Sequence, residues 1–152
     1  MPTQALTQTP AAPAAPLATR EKPLTAADLE GLRAELRSSK KQVTAATLKL
    51  TDAEATRFWP VYDQYAAELT TIKNGQYALI AEYANTYGKY DDKAATSFIT
   101  RWLALDVQQA ELRARYIPQV GKVLPGVKAA TFFQIDRRVS MAVDLKITQL
   151  LP

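Results

Sequence analysis

Leu50-Thr51-Asp52-Ala53-Glu54-Ala55-Thr56-Arg57-Phe58-Trp59 opens the stretch that decides the fold. Thr51 and Glu54 stand three apart, the spacing of a capping box. In that arrangement the hydroxyl and the carboxylate each satisfy a backbone N–H that the first helical turn leaves without a partner. Behind the box, Phe58, Tyr62, Tyr65, Leu69, Ile72, Gln76, Leu79 and Tyr83 recur in steps of four and three. This is a near-heptad stripe on one helix face. Gly88 suits the left-handed residue that closes a helix. A helix from Asp52 to Tyr87 would span roughly 54 Å at 1.5 Å per residue.

Outward from this helix the pattern repeats. Asp91 or Asp92 can cap a second long helix with Phe98, Trp102, Leu105, Gln109, Leu112 and Tyr116 on one face. Two amphipathic helices joined by so short a loop must fold back antiparallel, since neither can bury its stripe alone. Before them, Thr25 can cap a helix that ends near Leu48, with Leu29, Leu32, Leu36, Val43 and Ala46 on its apolar face. After them, a helix from about Val127 to Leu150 carries Phe132, Ile135, Val139, Val143, Ile147 and Leu150 on one side. No segment alternates with period two. The expected fold is all-α: four helices, with a long bent antiparallel hairpin packed by shorter N- and C-terminal helices. The bend is expected from Pro60 and Pro118, each of which removes a helical hydrogen bond. Their sequence midpoint falls in the hairpin turn, which predicts that they lie at nearly the same height. The alternative is that each proline ends its helix.

Four of the nine prolines lie in the first sixteen residues, so residues 1–23 read as a disordered Pro/Ala-rich leader and 24–152 as a single helical domain. The leader lacks the basic and apolar regions of a signal peptide, which fits a processed chain. Composition narrows the chemistry. The 152 residues contain no Cys and no His, which removes the thiolate and imidazole groups that most often act as nucleophile, base or transition-metal ligand. Asp91 and Asp92 are better read as a cap than as metal ligands, and no glycine-rich phosphate loop occurs. No catalytic residue, cofactor or metal is expected, and the chain reads as a non-enzyme. The net charge of +4 is mild, and basic residues interspersed along helices do not form a nucleic-acid reading surface.

The opening stretch has an echo at Leu124-Pro125-Gly126-Val127-Lys128-Ala129-Ala130-Thr131-Phe132-Phe133. In both copies alanine follows the Leu by five residues and paired aromatics follow by eight and nine. One reading is that Phe58, Trp59, Phe132 and Phe133 fill the core where helix ends meet. The other is that one ring of each pair faces outward onto a client-binding surface. From Leu112 to Arg138, six basic residues face the single acid Asp136, which is expected to form an ion pair with a nearby Arg. A basic and apolar surface there could hold acidic segments of unfolded protein or contact an anionic membrane surface. The candidate client-binding residues are Arg57, Trp59, Arg113, Arg115, Tyr116, Lys128, Phe133, Arg137 and Arg138.

LTDAEATRFWPVYDQY and LPGVKAATFFQIDRRV resemble the paired LTxxQ motifs of Spy/CpxP-like bacterial envelope proteins. They are closer still to a group of uncharacterised secreted helical proteins sharing an FWPVY…LP…A..F.QI pattern. Leu50, Thr51 and Glu54 match the first motif, with Glu54 in place of Gln. Leu124 and Lys128 match the second, with Pro125 in place of Thr. The resemblance implies a periplasmic protein with a curved helical hairpin, a possible homodimer, and ATP-independent chaperone activity toward unfolded or acidic protein clients. Its alternative is a stress-signalling accessory or scaffold that docks on an envelope sensor protein. The metal-sensing relatives use His-containing sites, which this chain does not have.

Overall fold

The computed structural model describes residues 26–150. The leader assigned to residues 1–23 and the cap at Thr25 lie outside the described residues, as do the side chains of Leu29, Ile147 and Leu150. Four helices make up the fold: α1 (Ala26–Leu48), α2 (Asp52–Thr86), α3 (Asp92–Gly121) and α4 (Gly126–Leu150). The helix boundaries follow local chemistry. Thr51 Oγ accepts from the Glu54 N–H at 3.2 Å, and Glu54 Oε1 accepts from the Thr51 N–H at 3.1 Å, so the capping box is closed. Gly88 takes φ 77° just past α2, where a side chain would be strained. Of the two candidate caps for α3 it is Asp91 that serves, accepting from the Ala94 N–H at 2.7 Å.

Cross-helix partners define the topology. Glu82 meets Arg101 and Glu68 meets Arg115, so α2 and α3 form an antiparallel hairpin. Lys41 of α1 meets Asp63 of α2, Lys40 of α1 meets Asp136 of α4, and Arg113 of α3 meets Asp136. The pairs Phe58–Phe132 and Lys73–Asp144 instead rise together, so α2 and α4 run parallel across the diagonal. This is an up-down-up-down four-helix bundle. Backbones approach closely along α2–α3, α3–α4 and α1–α4, whereas α1 and α2 are bridged mainly by side chains. Gly75 permits one close approach in the hairpin, since a Cβ there would sit 3.0 Å from the Leu105 side chain.

Pro60 and Pro118 both lie inside unbroken helices and do not end them. They are not level, however. With Glu68 opposite Arg115, Pro118 falls opposite Tyr65, and Pro60 falls opposite the α3–α4 turn. The offset is about five residues, or roughly 7 Å along the axis. The sequence midpoint misplaced them because the side-chain register is set by packing and not by the centre of the turn.

The core joins Phe58, Tyr62, Tyr65 and Leu69 of α2 to Leu112, Tyr116 and Val120 of α3 and Phe132 and Ile135 of α4. A smaller cluster of Tyr77 and Ile80, with Trp102 and Val143 against it, continues it toward the hairpin tip. On α1 the expected face is rotated: Val43 is exposed, as is Ala46, and Thr44 is fully buried. Lys40, Thr44 and Leu48 form the row that turns inward, and the Thr44 hydroxyl is satisfied by donating to the Lys40 carbonyl at 2.7 Å. That rotation brings the Lys40 ammonium to Asp136.

Candidate functional site

The two echoed segments meet. Each position eight residues after the leading Leu contributes a fully buried ring, and Phe58 and Phe132 lie 5.3 Å apart in an edge-on contact. Each position four residues after the Leu contributes a charge, and Lys128 Nζ donates to Glu54 Oε1 at 2.6 Å. The echo therefore encodes the parallel α2–α4 diagonal, and its copies fill the core where the helix ends meet. Hydrogen bonds from Lys128 and from the Thr51 backbone pull the Glu54 carboxyl from 4.5 down to about 2.

Asp136 sits fully buried at the centre of the bundle, and every other helix sends it a donor. Tyr65 of α2 donates its hydroxyl to Oδ2 at 2.6 Å, Arg113 of α3 donates Nε to Oδ2 at 2.9 Å, and Lys40 of α1 pairs with Oδ1. Burial alone would raise the Asp136 pKa. The Lys40 charge and the three donors outweigh it and hold the carboxyl below its usual range. Burial and the Asp136 charge together push the Tyr65 phenol far up, and burial lowers the Lys40 ammonium. A carboxylate so enclosed presents no face to a substrate. Its chemistry is to fix the mutual register of four helices.

The residues singled out by sequence are dispersed. Tyr116 is buried, with its hydroxyl donating to Glu68, and Arg115 pairs with the same carboxylate. Arg113 is held by Asp136 and Lys128 by Glu54. Trp59 and Phe133 are half-buried against the core, so neither ring of the echoed pairs stands free in solvent. Arg57, Arg137 and Arg138 are exposed. The expected continuous basic and apolar surface thus resolves into ion pairs at Arg113 and Lys128 plus four outward arginines, of which Arg115 pairs with Glu68 at the surface. The cause is that Asp136 holds Arg113, Glu54 holds Lys128, and Tyr116 packs into the core with its hydroxyl on Glu68.

A surface feature that sequence reading missed lies on α3. Ile99, Leu103, Val107 and Ile117 are all about half exposed and fall along its outer side. Ala110 and Ala114 fill the row between them, and both are exposed. At 100° per residue these positions form one stripe, opposite the inward Gln109, Leu112 and Tyr116. The stripe itself carries no charge; Asp106 and Glu111 flank it. The signal was present as a second apolar periodicity on the same helix, hidden by the stronger aromatic one. A helix apolar on two faces has one more surface than its own bundle covers.

A second feature is a cleft of about 240 Å³ along the α1–α2 seam, with α4 at its back. Its apolar residues Leu36, Tyr62, Leu69, Val139 and Val143 were read from the sequence only as core-facing stripes, and its cations Arg33, Arg37, Lys40, Lys41 and Lys73 were not singled out. No helix among the described residues is long and apolar enough to cross a membrane. Comparison with known protein families, with curated proteins and with solved structures finds no match to this chain.

Proposed function

We propose that this protein is a non-catalytic helical binding protein of the bacterial periplasm that holds apolar segments of unfolded polypeptide, without ATP, on the outer side of α3. The observation that carries the reading is the uncharged row of Ile99, Leu103, Val107 and Ile117, exposed along one helix. Contiguous apolar surface of this kind marks interaction sites on soluble proteins. The periplasmic assignment rests on the paired LTxxQ-like motifs. Asp106 and Glu111 beside the row narrow the clients to apolar segments and disfavour acidic ones.

The test is suppression of light scattering when a denatured client is diluted into buffer with stoichiometric protein. Wild type is expected to suppress it, and L103D/V107D, with unchanged helical circular dichroism, is expected to lose most of the effect. Equal protection by the variant, or none by wild type, overturns the reading. A wild-type dimer that this variant dissociates, with no client protection, would place a second copy of the chain on the row instead.

A further inference from the structure

The α1–α2 seam is the one side of the bundle where neighbouring helices are not closely packed, and the opening it leaves has a definite chemistry. Its apolar wall is Leu36 of α1, Ala66 and Leu69 of α2, and Val139 and Val143 of α4. None of its lining residues comes from α3, so it is separate from the exposed Ile99–Ile117 row. At about 30 Å³ per water-sized group, 240 Å³ holds roughly eight such groups, enough for a short hydrocarbon chain.

The rim is cationic. Arg33, Arg37, Lys40, Lys41 and Lys73 border the cleft, with Asp63 as the acid among its lining residues. Other carboxylates reach these cations from outside the wall, yet two of them are shared: Glu30 serves both Arg33 and Arg37, and Asp136 serves both Lys40 and Arg113. One carboxylate neutralises one cation, so Glu30 leaves one positive charge over at the rim, and the Asp136 group leaves another shared between Lys40 and Arg113, which lies outside the cleft. Three of the rim side chains are also drawn in from solvent, with Arg33 15%, Lys40 14% and Lys73 15% exposed. Long cationic side chains on a surface normally keep their heads in water. Here they lie over an apolar slot, five cations against the four carboxylates Glu30, Asp63, Asp136 and Asp144 that pair with them.

We propose that the α1–α2 cleft binds a single-chain amphipathic anion, its hydrocarbon chain on the Leu36, Leu69 and Val139 wall and its carboxylate against the Arg33, Arg37 and Lys73 rim. A free monomeric fatty acid of about ten carbons matches the volume, with the headgroup outside the slot.

The experiment is calorimetric titration of the full chain with sodium decanoate below its micelle concentration, beside decyltrimethylammonium and decanol. Saturable one-to-one binding of decanoate is expected, with the cationic analogue inactive and the neutral one weaker. A66F should fill the slot and abolish binding. R37Q/K73Q, which leaves the apolar wall intact, should weaken it about tenfold or more. It keeps the test open should A66F fail to fold. Absence of saturable heat, equal binding by R37Q/K73Q, or equal binding of the cationic analogue would sink the proposal. So would association only with phosphatidylglycerol vesicles, which would identify a membrane surface as the anion. L103D/V107D should bind decanoate like wild type, so a failure of client holding and a failure of this site are read separately.

Discussion

Asp136 concentrates the electrostatics of the molecule in one carboxylate. Its partners come one from each remaining helix, and it is fully buried, so removing it leaves the half-buried Lys40 and Arg113 without their shared carboxylate and the Tyr65 hydroxyl without its acceptor. Breaking such a group by deleting one partner costs about 3–5 kcal/mol, whereas replacing the whole set by apolar residues of similar size is often neutral. D136A is therefore expected to lower the urea unfolding midpoint severely, and K40M/Y65F/R113M/D136L, which also removes the Tyr65 hydroxyl that would lose its acceptor, is expected to recover most of the loss. Chemical denaturation followed by circular dichroism separates the two outcomes. If D136A is nearly neutral, the cluster does not hold the bundle together. An ion pair for Asp136 was foreseeable from the basic run around it, but its partners were only half legible. Arg113 lies in that run, while Lys40 sits nearly a hundred residues earlier in a helix whose inward row no periodicity count identified. The row holds Lys40 and Thr44 beside Leu48, and only tertiary pairing makes a lysine and a threonine inward-facing.

Helices were read best where the backbone itself needs particular residues. The Thr51–Glu54 box, the positive φ at Gly88 and the Asp91 cap place the ends of α2 and the start of α3 within a residue or two of expectation, because each is a local hydrogen-bond or steric requirement. What stayed illegible was which faces lack partners. The outer row of α3 and the loosely packed α1–α2 seam depend on how far neighbouring helices approach, and no single helix encodes that. Pro60 and Pro118 occupy the middle ground: their positions inside α2 and α3 were readable, their relative heights were not. Each is exposed and leaves the carbonyl four residues earlier without its helical donor. Alanine at either position restores that donor, and the intrinsic preference favours it by up to about 3 kcal/mol. P60A and P118A are each expected to raise the unfolding midpoint. A fall in P60A would mean that the aromatic core beside it, Phe58, Trp59 and Tyr62, is packed around a bend that the proline sets.

The bundle as a whole is closed at one end by the meeting of the echoed segments, and that closure carries a pH dependence. Glu54 has its pKa depressed to about 2 by Lys128 and the Thr51 backbone, and Asp136 is depressed as well. A carboxyl with a lower pKa folded than unfolded adds stability above its unfolded value, and that stability is lost as pH falls through the folded one. Stability should thus decline from about pH 4.5 toward about 2, the folded value of Glu54. On the alkaline side, burial raises Tyr62 and Tyr116 to about 12 and lifts Tyr65 and Tyr77 as well. A phenol with a raised pKa adds stability below its unfolded value near 10, and that stability is lost as pH rises beyond it. Lys40 acts in the opposite sense there, because its lowered pKa makes the folded state gain stability as the ammonium deprotonates. Four phenols against one ammonium leave a declining alkaline limb. Urea midpoints measured across pH should therefore form a plateau with two falling limbs. E54Q should make the acid limb shallower, leaving the part carried by Asp136, and leave the alkaline one in place, since the glutamine keeps the side chain but cannot titrate. An acid limb unchanged in E54Q would show that the Glu54–Lys128 contact does not couple the two helix starts. The α2–α4 diagonal would then rest on the Phe58–Phe132 contact and the Asp136 cluster.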